Sequence, residues 1–159
     1  MKTLMSFAFA FALSLSLPAF AQIGQPKEIQ TLKKFGIYTV HYNVFNSKMV
    51  PAQIAEIHEL TRSKDLALVN ISLTKTENGV ASLGLPAKVS VKAINLMQQT
   101  KSLEFKEIKE TDNGASATYY LAPYRHTNEE DIRFEVSVVP EGETKPLTVS
   151  FTRRLFTEN

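Results

Sequence analysis

A chain of 159 residues without a single cysteine excludes thiol catalysis, cysteine-based metal sites and disulfide exchange. Its 18 Lys and Arg against 16 Asp and Glu leave a formal charge of only +2, with the signs interspersed. That balance argues against a nucleic-acid partner, whose phosphates call for a basic stripe. At 43% hydrophobic and 21% charged residues the composition is that of a packed domain.

The first segment reads as a leader. Lys2 precedes an apolar run over 4–13, and Ala19 and Ala21 stand just before Gln22. This is the charged, apolar and small-residue order of a secretory signal peptide over residues 1–21. The cleavage site has no cysteine to carry a lipid, and no second apolar run is long enough to span a membrane. Cleavage after Ala21 leaves 138 residues with 17 basic against 16 acidic groups, enough for one domain. A soluble periplasmic protein is therefore expected.

Residues 22–34 are polar with sparse apolar positions, a lead-in arm with room for one short edge strand before a single domain over 35–159. From Phe35 the pattern turns to period two. Tyr38, Val40, Tyr42 and Val44 form one face, and Thr39, His41 and Asn43 the other. The connection over 46–65 is too long for a hairpin and is predicted to hold a short helix. Pro51 suits its first position, Ile54, Ile57 and Leu60 its buried face, and Arg62 and Lys64 its C-terminal end. Ser47 and Ser63 flank it as capping candidates.

Six further strand-like runs cover 66–74, 87–97, 102–109, 115–122, 132–139 and 147–155. Ile132, Phe134, Val136 and Val138 alternate cleanly with Arg133, Glu135 and Ser137, and Val149 and Phe151 with Thr148, Ser150 and Thr152. Asp112-Asn113-Gly114 and the proline-bounded stretch over 140–146 mark turns. The expected fold is all-β: an immunoglobulin-like antiparallel β-sandwich of about seven strands with one short helical insertion.

Chemistry-bearing patterns are sparse. His41, His58 and His126 lack metal-ligand spacing, and His58-Glu59 lacks the second histidine of a zinc-protease helix. No Gly-x-Ser-x-Gly elbow occurs. Glu129-Glu130-Asp131 reads as a solvated acidic turn, and Met49 and Met97 as core or rim fillers. Asn70-Ile71-Ser72 matches a glycosylation acceptor, but inside a strand a glycan would obstruct pairing. Of Tyr119-Tyr120 one ring belongs in the core and the other is exposed or at an edge, and one buried tyrosine among Tyr38, Tyr42, Tyr119, Tyr120 and Tyr124 is expected to bond back to a strand corner. No cofactor and no metal is expected.

Several stretches carry a family resemblance. They are the residues over 38–47, Val50-Pro51, Ala55, Arg62-Ser63-Lys64, the residues over 68–72, those over 103–108, and those over 133–136. Together they resemble the exported Gram-negative bacterial family designated domain of unknown function 4426. The resemblance implies export and the sandwich fold, and it brings no catalytic residues. Asn46, Ser47, Arg62, Ser63, Lys64 and Asn70 are the binding candidates. Asn46 and Ser47 are expected to hold the loop, and Arg62 and Lys64 to contact a partner. The favoured function is a module that binds an envelope protein or component. The alternative is an enzyme or metal carrier whose site has no recognisable motif.

Overall fold

Alternating apolar positions decide the architecture, because a strand sends every second side chain to the same face. The structure, a computed structural model, describes residues 29–157. The segment read as signal peptide and the part of the arm over 22–28 lie outside the described residues. In chain order the elements are β1 (Leu32–Phe35), β2 (Tyr38–Asn46), a 3-10 turn (Ser47–Met49), α1 (Ala52–Ile57) and β3 (Leu66–Glu77). They continue with β4 (Val80–Ala81), β5 (Ala87–Asn95), β6 (Thr100–Ser102), β7 (Lys106–Asp112), β8 (Ala115–Arg125), β9 (Glu130–Pro140) and β10 (Leu147–Leu155).

One sheet runs β1-β2-β3-β8-β7 with β4 paired on β3, and the other runs β10-β9-β5-β6. Every pairing is antiparallel. Without the short β1, β4 and β6, strands β2-β3-β8-β7 face β10-β9-β5. That is the ABED and GFC order of an immunoglobulin sandwich. The all-β fold with one helical insertion in the first long connection is what the chain adopts.

Between the sheets lie Val40, Val69, Ile71, Tyr120, Ala122, Ile132, Phe134 and Val136, all buried. Phe134 meets Tyr124 edge-on at 5.9 Å and stacks on Phe151 at 5.3 Å, and Phe151 stacks on Tyr42 at 4.5 Å. Each such pair adds ~0.5–1.5 kcal/mol beyond the area it buries. Tyr42, Tyr120 and Tyr124 are all buried, and of the Tyr119-Tyr120 pair it is Tyr120 that enters the core. Its hydroxyl accepts from the Ala87 amide (2.8 Å), tying β8 in one sheet to the start of β5 in the other.

Three local readings change. The run over 102–109 is two strands in different sheets, β6 and β7. The chain crosses between them with Leu103 and Phe105 against the core, so the alternation continues unbroken through the change of sheet. The run over 87–97 stops at Asn95, whose carboxamide Oδ1 accepts from the Gln99 amide (3.0 Å) and closes a turn holding Leu96 and Met97. The helix is shorter than expected: Pro51 is its N-cap, and Ile57 is 63% exposed while Ala55 is 3% exposed.

Gly84 fixes how the connection after β4 enters the sandwich. Its carbonyl accepts from the Thr118 amide (2.8 Å), and the next amide, Leu85, donates to Leu73 (2.7 Å). A Cβ at position 84 would lie 2.1 Å from the Thr118 carbonyl oxygen, which is backbone and held in β8. Gly84→Ala should lower stability by ~2–4 kcal/mol in urea unfolding, by overpacking. Gly36→Ala, at φ +60 with open space around it, should cost about 1 kcal/mol through backbone strain alone.

Candidate functional site

The inward series on β3 is Ala67, Val69, Ile71 and Leu73, so Leu66 and Leu68 point to the opposite face of the sheet. Both are nevertheless buried, as are Leu121 of β8 and Ile108 of β7. All four stand apart from the inter-sheet core. The 46–65 insertion is what covers them. Ala55 is the buried residue of α1.

The helix ends in a Schellman turn. Leu60 N–H donates to the Ala55 carbonyl (2.7 Å) and Glu59 N–H to the Glu56 carbonyl (3.1 Å), with Glu59 at φ 52. There it meets the far edge strand. Lys106 Nζ of β7 donates to the His58 carbonyl (2.7 Å) and pairs with Glu59 (3.0 Å), which holds the Glu59 carboxyl below its ordinary range. Tyr119 donates to Glu110 (2.6 Å), and His58 Nε2 lies 3.8 Å from the same carboxylate. Burial, then Glu110, raise the Tyr119 pKa.

The two ends of the insertion are stapled together. Ser47 is completely buried; its Oγ accepts from the Ser63 amide (2.8 Å) and donates to the Ser63 carbonyl (3.1 Å). Asn46 Nδ2 donates to the Lys64 carbonyl (2.9 Å), while its Oδ1 caps the 3-10 turn at Lys48 N–H (2.9 Å). Arg62 Nη2 donates to the Lys48 carbonyl (3.0 Å). The Ser63 hydroxyl donates to Asp65, which also pairs with Arg125, and these two contacts depress the Asp65 pKa. The Asp65 carbonyl accepts from His126 N–H (3.0 Å), and His126 Nδ1 donates to the Thr127 carbonyl (2.9 Å).

Five of the six sequence candidates thus meet in one network: Asn46, Ser47, Arg62, Ser63 and Lys64. Lys64 joins through its backbone, and the side chains of Arg62 and Lys64 are exposed rather than placed at a helix C-terminus. Asn70 does not join them. It pairs with Asn43, three positions along the ladder from Asn46 and Ala67, and its buried Oδ1 has no hydrogen-bond partner. Asp65, Arg125 and His126 complete the staple and were not foreseen, since nothing in their spacing marks them.

The same end of the sandwich carries the turn after β5, the loop between β8 and β9, and the exit from β10. Met49, Leu96, Met97 and Phe156 project there, each more than half exposed. The two methionines are therefore not fillers of the core. Glu129, Glu130 and Asp131 flank Leu96 and Met97, while Arg62 and Lys64 lie on the insertion side. The histidines stand apart: His41 bonds Thr74 on β3 (2.9 Å), His58 faces β7, and His126 lies in the β8–β9 loop. Among the described residues no three His, Asp or Glu side chains are grouped to hold a metal.

Fold and loop cluster together define an immunoglobulin-like sandwich whose first long connection is built into a covering for one sheet. The chain belongs to the DUF4426 family, a domain of unknown function, whose model matches residues 32–158. It is 30% identical to a DUF4426 family protein from Pseudomonas aeruginosa PAO1 of known crystal structure. That match has a TM-score of 0.66 and covers 80% of this chain and 95% of the other. FetP of uropathogenic Escherichia coli strain F11, as isolated after recombinant expression in the periplasm of E. coli BL21(DE3), is similar in fold alone. It shares 10% identity at a TM-score of 0.53, over 80% of this chain and 94% of FetP. Comparison with curated proteins gives no match. Among the described residues no helix is long and apolar enough to cross a membrane.

Ser47→Ala leaves the Ser63 amide without a partner and the Ser63 carbonyl with the Leu66 amide alone (3.3 Å), so thermal or urea unfolding should show a loss of ~1–3 kcal/mol. Lys64→Ala, which removes only an exposed side chain, should stay within about 0.5 kcal/mol of the parent.

Proposed function

We propose that the chain is a soluble periplasmic module that docks an envelope protein with the insertion end of its sandwich. One observation carries the reading: Met49, Leu96, Met97 and Phe156 stand exposed at a single end. Apolar side chains gathered in this way mark interaction surfaces, and methionine adapts to the shape of a partner. Asn46, Ser47 and Ser63 hold the loop that presents Met49. Arg62 and Lys64 supply a basic rim opposite the acidic Glu129 and Glu130, a charge asymmetry that orients a partner. Asn70, away on the sheet, takes no part. The leader read over residues 1–21, with a mature chain starting at Gln22, supports the periplasmic assignment.

In-cell photo-crosslinking from position 96, which neither double variant alters, followed by mass spectrometry, tests this. The parent should give a discrete partner band. Met49→Ser/Met97→Ser should lose it while melting within a few degrees of the parent, because a partner contact is worth ~1–3 kcal/mol of binding. Arg62→Ala/Lys64→Ala should weaken the band without abolishing it. A band unchanged in both double variants contradicts the reading and moves the surface elsewhere.

A further inference from the structure

Along β10 the inward positions are Leu147, Val149, Phe151, Arg153 and Leu155, so one full charge stands in an otherwise apolar series. The Arg153 guanidinium lies 4.9 Å from the centroid of the Phe151 ring. Its Nη1 donates to the Thr152 carbonyl (3.0 Å) and its Nη2 to the Gln30 carbonyl (2.5 Å). A guanidinium has five N–H donors, so three are left over, and both acceptors are neutral. Arg125, Arg133 and Arg154 each have a carboxylate partner. Among the described residues Arg153 has none, and burial lowers its pKa.

This lone cation lines a cleft of about 590 Å³ along the seam where the segment at 29–30 approaches β10. Tyr42 and Phe151, stacked at 4.5 Å, form part of its wall, and Ile29 lies at the same cleft. The volume is within the range of small-molecule sites, and the lining combines Ile29, Tyr42 and Phe151 with the polar Gln30, Ser150 and Thr152 and the one charge of Arg153.

We propose that this seam binds a monoanionic amphiphile, its carboxylate on Arg153 and its apolar body against Tyr42, Phe151 and Ile29. The planar fork of arginine matches a carboxylate through two parallel hydrogen bonds. One unpaired guanidinium balances one negative charge. The next cation along the seam, Lys33, is engaged with the Phe35 ring (5.0 Å) and the Thr148 carbonyl (3.4 Å), so the second charge of a phosphate monoester would find no partner. The site is separate from the docking end and stands without it. The rival role for Arg153 is that of a latch between β10 and the segment at 29–30, an inward charge that also keeps an edge strand from pairing.

The mature chain is titrated with decanoate and decyl phosphate below their micelle concentrations, and with decanol below its solubility limit, by calorimetry and by NMR shifts of the Tyr42 and Phe151 rings. Decanoate should saturate one site at least about tenfold more tightly than decanol, the advantage of a charge-assisted contact, and more tightly than decyl phosphate. Arg153→Gln should erase the difference between decanoate and decanol, and Arg153→Lys should keep part of it. The comparison of the three probes on the parent needs no variant to fold. Equal binding of decanoate and decanol by the parent, or no saturable decanoate binding, overturns the proposal. So does an Arg153→Gln protein that melts lower yet binds decanoate as the parent does, which is the result expected of a latch.

Discussion

Burial of β3 on both faces at its first residues is the constraint on which the rest of the molecule depends. A strand at the surface of a two-sheet sandwich normally turns one face to water, and polar residues there cost nothing. Here Leu66 and Leu68 occupy that outer face beside Leu121 and Ile108. Each would lose ~1.5–3 kcal/mol if exposed to water. The 46–65 connection therefore runs out across the sheet to β7 and back, when a short loop would have joined β2 to β3. A connection that serves as a covering has to be fastened at both ends. The Ser47–Ser63 pair closes it at the β2 and β3 side, and Lys106 holds the helix end over β7.

That fastening has a consequence for what the insertion can do. Its polar residues are spent largely on the molecule itself: Asn46 and Ser47 bond to backbone groups, the Ser63 hydroxyl donates to the Asp65 carboxylate, and Arg62 donates to the Lys48 carbonyl. What stays exposed is the apolar fringe, Met49 with Leu96, Met97 and Phe156 from neighbouring connections, and the charges around it. A rigid scaffold presenting a few flexible apolar side chains loses little entropy of its own on docking. The opposite arrangement holds along the seam beside β10, where a charge stands among rings and the apolar surface is already assembled.

Much of the fold was legible because the alternation is strict where one face is buried. Ile132 to Val138 and Tyr38 to Val44 each declare a strand and the side it buries. The split of 102–109 was not legible, since Leu103 and Phe105 keep the same period while the chain passes from one sheet to the other. Periodicity also rewards size, so Ile54 and Ile57 were read as the buried face of the helix. The residue that is buried is Ala55 instead, with Ile54 and Ile57 exposed. The staple could be foreseen in part, because serine and asparagine at the ends of a connection bond readily to local backbone. Its extension through Asp65 to Arg125 joins residues 60 positions apart, which no local pattern encodes. Arg153 interrupts the inward series of β10 in plain view, but a single charge in a strand also serves as an edge guard.

Native-state hydrogen exchange across the insertion tests most directly whether it is part of the fold or a loop laid upon it. The informative amides are Leu60, bonded to the Ala55 carbonyl, and Ser63, bonded to Ser47 Oγ. If covering β3 is a condition of folding, both should exchange only through global unfolding, with the same denaturant dependence as the amides of β3 and β9. Exchange of Leu60 and Ser63 through a local opening, with β3 and β9 still protected, would contradict the account.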